Sequence, residues 1–427
     1  MKRAKLTVAS LLLVSGLSAY GASIDHIQNY TVEYGANPAQ QGAINESSSV
    51  YFNPAGLSRL HEGTYVTGGV QYAFGEQSIK NSGKKYKANL SSPVPNFSIY
   101  KVQEDGDALY WTMGAIGGGA SLHYKDGIPV NINNPMINGT LDKLNLSIAD
   151  ILKSDVKGEN RYLQTTFGKV WKLNDKWSAS AGIRGVYGVR RLDAKAHLDN
   201  SKLPEYMKPL IKGSASIDSE RKALGVGFQL GLNYAPTDRL NIGMRYDSQV
   251  NLKFKTDASI SDSSIKKLIS TELLKKYPVY ADGTKERRDL PAILALGASY
   301  KVTDRWTTYV GGNYYFNKQA RMDRIQSSVK YDNGWELSLG SEYQMTPKWS
   351  WLVGGNYADT GAKGDHFSPT EYALDSKMVA TGFKYKQNET TEWMVSYTHY
   401  FYDTKTYDNS TYKKDIRSVG IGFIKRF

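Results

Sequence analysis

The sequence predicts an all-β fold, a closed antiparallel transmembrane β-barrel of about fourteen strands, and three observations carry that expectation. The chain opens on a cationic, then apolar, then small-residue leader. Beyond the leader no run of about 18 apolar residues occurs, so no helical membrane span is expected. From Tyr65 onward, segments of about ten residues alternate apolar and polar side chains, joined by tight turns and longer polar loops in succession. That pattern suits strands with lipid on one face and a lumen on the other.

The leader "MKRAKLTVASLLLVSGLSAYGAS" places Lys2, Arg3 and Lys5 ahead of an apolar stretch from Leu6 to Leu17, with small residues from Ala19 to Ala22. It reads as a signal peptide over residues 1–22, cleaved after Gly21 or Ala22. Composition agrees with a barrel. There are 31 Tyr against 12 Phe, 40 Gly, and a mean hydropathy of −0.48, as expected where strand faces meet different solvents. Cysteine is absent, which excludes disulfides and thiolate metal sites. The formal charge is +13, but Lys and Arg are dispersed along an exported chain, so nucleic acid is not an expected partner.

Residues 23–60 do not alternate. The stretch "EYGANPAQQGAINESSSVYFNPAGLSRL" is small and polar, and Asn53, Pro54, Ala55 and Gly56 form a turn signal at its end. By its position before the first strand it is either a periplasmic tail or a plug inside the lumen.

Within the barrel region, residues 61–427, four tight turns resemble one another: "WKLNDKWSASAGI", "YAPTDRLNIGM", "YKVTDRWTTYVGGNYYF" and "YQMTPKWSWLVGGNY". An aromatic closes one strand and Trp or Leu opens the next, as in an interfacial girdle at the periplasmic end. Parity gives Leu240, Ile242, Met244 and Tyr246 to lipid and Asn241, Gly243, Arg245 and Asp247 to the lumen. Leu224, Val226, Phe228, Leu230 and Leu232 likewise share a lipid face. The last segment, "RSVGIGFIKRF", puts Val419, Ile421 and Phe423 on one parity and ends on Phe427.

Long loops are expected near 124–160, 190–222 and 253–289, at the extracellular end. Each holds apolar residues at helical spacing. The sets are Leu141, Leu144, Ile148, Ile151 and Leu152; then Leu203, Tyr206, Met207, Leu210 and Ile211; then Ile265, Leu268, Ile269 and Leu273. They would either line a docking groove, with Lys208, Lys212, Lys266 and Lys267 beside it, or pack the loops together. The third strand, Leu109 to Tyr124, is interrupted by Gly117, Gly118 and Gly119. Three successive residues cannot all face the lumen, which points to a bulge. Arg184 and Arg245 point into the lumen and are candidate partners for a carboxylate headgroup.

The run "GAINESSSVYFNPAGLSRL" resembles the N-terminal hatch of the FadL family of outer-membrane hydrophobic-compound transporters (FadL/OmpP1/TodX), through Gly42, Ala43, Asn53, Pro54 and Ala55. Strand number, long loops after the fifth and seventh strands, "DLPAILALGASY" at Asp289 to Tyr300 and the terminal Phe extend the resemblance over nearly the whole mature chain. Lys425 departs from the terminal pattern. The resemblance implies a hatch over 23–60 in an outer-membrane barrel. It also implies capture of a fatty acid or similar molecule by extracellular loops, a luminal binding pocket, and lateral release at a kink in the third strand.

No enzyme and no cofactor is expected. The six His show no metal-ligand spacing, and no G-x-S-x-G motif occurs. The expected partners are a hydrophobic small molecule and the outer-membrane lipids, including lipopolysaccharide, around a monomer. A general porin for polar solutes and a loop-displaying surface adhesin are the alternatives.

Overall fold

The computed structural model describes residues 30–129, 139, 141–209, 213–262, 282–323, 328–329, 331–364, 367 and 372–427; the expected leader lies outside them. The wall consists of β1 (Gly63–Asn81), β2 (Lys84–Val102), β3 (Ala108–Tyr124), β4 (Leu152–Lys172), β5 (Trp177–Leu198) and β6 (Ser214–Tyr234), then two interrupted strands. These are β7 (Leu240–Asp247 and Lys253–Asp262) and β8 (Lys285–Arg287 and Ile293–Thr303). It continues through β9 (Trp306–Tyr315), β10 (Gly334–Gln344), β11 (Trp349–Asp359), β12 (Ser376–Asn388), β13 (Thr391–Tyr402) and β14 (Ser410–Arg426). Sequential neighbours pair antiparallel, and β1 pairs with β14 from Tyr65↔Arg426 to Asn81↔Ser410, closing the barrel at fourteen strands. Closure leaves no edge, the condition for a sheet to stand in lipid.

Both parity assignments hold. Arg245 and Asp247 are buried while Met244 is exposed, and Leu224, Val226, Phe228 and Leu230 face outward. The tight turns fall where expected, and their aromatics meet rings of neighbouring strands: Trp177 stacks on Tyr234 with centroids 4.2 Å apart, and Trp349 lies tilted against Tyr385 at 4.7 Å.

The strands, however, run further than the sequence pattern indicates. β4, β5 and β6 have 21, 22 and 21 residues, about twice what a tilted strand needs to cross the hydrocarbon. The strands thus take in 152–160, 190–198, 214–222, 253–262 and 285–287 of the stretches expected as loops. The extra length stands beyond the membrane, and there the polarity of the wall inverts. Along β5 the outward residues change from Ile183 and Tyr187 to Arg191, Asp193 and Lys195. The inward ones change from Ser178, Ser180 and Arg184 to Leu192, Ala194, Ala196 and Leu198. Water, not lipid, bathes that outer surface, and the apolar set moves to the lumen.

Helices in the loops are few among the described residues. Ile148–Ile151 forms one turn, and Met207 N–H reaches Pro204 O at 2.8 Å in another. Leu141, Ile151 and Leu203 form a small core of their own with Leu144, Leu146 and Met207 against it, so these faces pack loop on loop. Lys208 pairs with Glu205. Leu210, Ile211, Leu268 and Ile269, with Lys212, Lys266 and Lys267, lie outside the described residues.

The wall is interrupted at 248–252 and 288–292, where β7 and β8 keep one bridge, Val250↔Leu290. Asp289 mends the lost ladder. Its carboxylate accepts Leu252 N–H at 3.1 Å, Arg321 N–H at 3.2 Å and Arg287 Nε at 2.9 Å. Backbone donors left without a ladder partner inside a wall need such an acceptor.

Candidate transport site

Residues 30–60 lie within the barrel, and their contacts reach the wall on many sides. Asn45 Oδ1 accepts Ser48 N–H at 2.7 Å ahead of the short helix α1 (Ser49–Phe52). Pro54 then opens a 3-10 turn over Pro54–Arg59, closed by Gly56 N–H on Asn53 O at 2.8 Å. Proline suits that first position because it has no N–H to satisfy. Asn53 Nδ2 donates to Asn233 Oδ1 on β6 at 2.7 Å, and Ser178 Oγ on β5 donates to Ala55 O at 2.7 Å. At Gly56 a Cβ would meet Ile44 Cδ1 at 2.5 Å. The Asn-Pro-Ala-Gly turn thus joins the segment to the wall by both side chain and backbone.

Elsewhere the segment seats on luminal glycines. An added Cβ would come within 2.3 Å of Gln41 O at Gly243, 2.8 Å of Gln41 Cβ at Gly297, 1.8 Å of Asn37 Oδ1 at Gly340 and 2.7 Å of a Tyr30 ring carbon at Gly114. Further bonds run from Ser299 Oγ to Gly42 O (2.9 Å) and from Thr398 Oγ1 to Gly35 O (2.7 Å), and Glu33 pairs with Lys384.

Arg184 and Arg245 do point inward, and both are fully buried. The carboxylate between them is the protein's own Asp247, 3.2 Å from Arg245 Nε and 4.0 Å from Arg184. Arg184 also donates to Gln164 Oε1 at 2.8 and 3.0 Å and to Ser248 O at 3.1 Å. Arg245 donates to Tyr51 O at 2.8 Å and stacks over the Tyr51 and Phe52 rings. The cluster fastens residues 51–52 to β5 and β7. A second group of like form, Arg190 and Arg221 about Glu286, sits higher in the lumen.

Above these cations one apolar cluster runs from Tyr30, Tyr34, Tyr51 and Phe52 up through Ile116, Leu192, Phe254 and Leu290 to Tyr124, Tyr372, Tyr400 and Tyr412. Lys414 on β14 is set into its top. Its ammonium donates to Tyr372 O at 2.8 Å and lies over the Tyr372 and Tyr402 rings at 4.6 and 5.8 Å. No carboxylate among the described residues pairs with it. Sequence parity alone could have placed this lysine inside, since Tyr412, Ile416 and Ser418 share its face; its setting in "YKKDIRS" reads instead as exposed charge.

The glycine run on β3 marks a real irregularity. Against β4 the register slips twice, leaving Ile116 and Gly119 unpaired. Gly118 has φ +65°, and a Cβ there would lie 2.2 Å from Asn160 O. Against β2, pairing lapses between Ser91↔Ser121 and Asn96↔Gly114. The β2 side of the lapse holds Pro93 and Pro95, which the sequence reading missed. Proline offers no N–H to a ladder. Two residues apart, both would aim it at the same neighbour, and because pairing with β1 continues through both, the deficit falls toward β3. Tyr30 covers Gly114 just below the lapse, and Ile116 faces the apolar cluster.

The family described as outer membrane protein transport protein (OMPP1/FadL/TodX) matches residues 27–421. The chain belongs to this family. It is an outer-membrane transport protein, and the family and its solved members are channels rather than enzymes. A FadL homologue from Pseudomonas aeruginosa superposes with a TM-score of 0.70 at 15% identity, covering 97% of this chain and 100% of the other. The toluene transporter TodX from Pseudomonas putida gives 0.65 at 16%, covering 97% and 100%. The toluene transporter TbuX from Ralstonia pickettii gives 0.58 at 16%, covering 94% and 100%. At these identities the structures show the shared fold. No protein of curated function matches the chain.

Proposed function

We propose that this family member takes up long, mostly apolar anions, fatty acids foremost, and releases them sideways through the wall at β3. The observation that carries the substrate class is Lys414. An ammonium held among aromatic rings, with no carboxylate partner among the described residues, is costly to bury, and an incoming carboxylate would complete it, while the chain below would lie against the apolar cluster. Arg184 and Arg245, engaged by Asp247, serve instead to hold the N-terminal segment as a plug. The neutral hydrocarbons named for TodX and TbuX would gain nothing from Lys414. The exit is supported by the lapse between β2 and β3, which faces the apolar cluster on one side and lipid on the other.

Binding of a long-chain fatty acid and of the alcohol of equal length, compared between the natural protein and Lys414→Met, tests the reading. The expected result is a loss of acid binding of about tenfold or more, the scale of one charge-assisted contact, with alcohol binding unchanged. Equal effects on both ligands would overturn the headgroup role. In the same assay Arg184→Gln and Arg245→Gln should lower thermal stability without separating acid from alcohol.

A further inference from the structure

The outer lip of the lapse between β2 and β3 is graded in polarity. Its lower end is apolar: Phe97, Trp111 and Met113 share the outward parity there, and Phe97 meets the Trp111 ring with centroids 5.9 Å apart. Its upper end is polar. Ser91 and Ser121 stand opposite each other where pairing resumes, both on the outward parity, and the hydroxyls of Ser91 and Tyr72 lie 2.5 Å apart. Between the two ends Pro93 and Pro95 are exposed.

Arg161 on β4 stands beside the upper end. It is the register partner of Gly118 in the bulge, and its side chain is 59% exposed. The wall changes character at this residue. Below it the outward residues of β4 are Leu163, Thr165 and Phe167; above it they are Glu159, Lys157 and Asp155. The guanidinium therefore sits at the rim of the apolar belt, the level of headgroups. Its Nε pairs with Glu159, and neither Nη has a partner among the described residues. One strand spacing, about 4.8 Å, separates β4 from β3, which an arginine side chain can span to reach the lip.

A carboxylate that follows its chain sideways through an apolar opening leaves Lys414 behind and is poorly hydrated on the way. The chain needs no help, since Leu90, Ile116 and Leu122 inside and lipid outside are both apolar. The headgroup does. We propose that Arg161, with the hydroxyls of Ser91 and Ser121, receives the carboxylate of the departing fatty acid on the outer face. The substrate then enters the outer leaflet with its head at the rim and its chain beneath. A guanidinium offers a planar fork to a carboxylate, and the two hydroxyls add donors. This step rests on sideways release at β3 and adds that the exit discriminates by headgroup. An opening of bare apolar lips would instead pass an acid and an alcohol of equal length without regard to charge at the rim.

The full chain, reconstituted in vesicles of zwitterionic phospholipid and loaded with palmitate or with hexadecanol, tests this by rapid-mixing measurement of the passage of each ligand into the bilayer. Arg161→Gln should slow palmitate about tenfold, the scale of one charge-assisted contact, with hexadecanol unchanged and the affinity for both retained. Arg161→Lys should recover most of the palmitate rate. Equal slowing of both ligands, or palmitate passing at the natural rate because the arginine serves only a lipid phosphate, would overturn the proposal. A variant with Pro93 and Pro95 replaced by Thr and Gly117 to Gly119 by Val-Thr-Val separates the two levels. Unhindered passage of both ligands in that variant sinks sideways release itself, whereas passage stopped there but unaffected by Arg161→Gln removes only the receiving site.

Discussion

Asp289 shows how much one side chain can carry when the backbone around it has lost its partners. Its carboxylate serves Leu252 N–H inside the wall and Arg321 N–H in the connection between β9 and β10. Asp289→Ala leaves the buried Leu252 N–H unmatched, and at 1–3 kcal/mol for such a group the expected loss of stability is about 2 kcal/mol, measurable as a fall in denaturation midpoint. Gly118 is held as tightly by geometry. With φ +65° and Asn160 O 2.2 Å from where a Cβ would stand, Gly118→Ala should cost about 1–3 kcal/mol of backbone strain and displace the bulge, seen as altered hydrogen exchange at Asn160 and Arg161. The glycine run was legible because it broke the alternation. Lys414 was not, because a buried lysine differs from an exposed one only in what the rest of the barrel puts beside it.

Strands and loops set the next scale. Replacing Pro93 and Pro95 by Thr, and Gly117 to Gly119 by Val-Thr-Val, supplies the missing donors and side chains between β2 and β3. The expected outcome is a continuous ladder, with uptake stopped and fatty-acid binding kept; undiminished uptake through a demonstrably continuous strand would rule out sideways release. At the outer end Asp332 joins two loops through Lys318 at 3.0 Å and Lys363 at 2.7 Å. Hydrogen bonds from Lys363 and Lys318 pull its carboxyl down to about 2. The folded pKa is depressed, so its stabilisation is present above the unfolded value of about 3.9 and fades as pH falls through about 2. Protease access to residues 316–323 and 360–364 should stay low at pH 4 and rise near pH 2. The lower strands could be read directly from alternation and girdle aromatics such as Trp177 and Trp349. The upper strands could not: at Leu192 to Leu198 the apolar residues change faces, and a change of phase looks like the end of a strand.

At the scale of the whole molecule, a fourteen-strand wall encloses a lumen wide enough for water unless filled, and residues 30–60 occupy it at the level of the glycines. Deleting residues 30–52 while keeping the Asn-Pro-Ala-Gly turn should convert the barrel into a pore. Planar-bilayer conductance and sugar-driven liposome swelling should both rise from near zero; a deletion variant that remains tight would show that the upper cluster alone seals the channel.

The glycine seats give the lumen the character of a mould, because the fit at Gly243, Gly297 and Gly340 is made by bare backbone and tolerates no added carbon. A single methyl group at one of these positions acts like a shim, lifting the inner segment from one side of its casing while leaving the exterior untouched. A series of Gly→Ala changes around the ring would therefore grade the leak of the channel position by position. The barrel could be tuned as a valve from within its wall, without altering any residue that a passenger molecule touches.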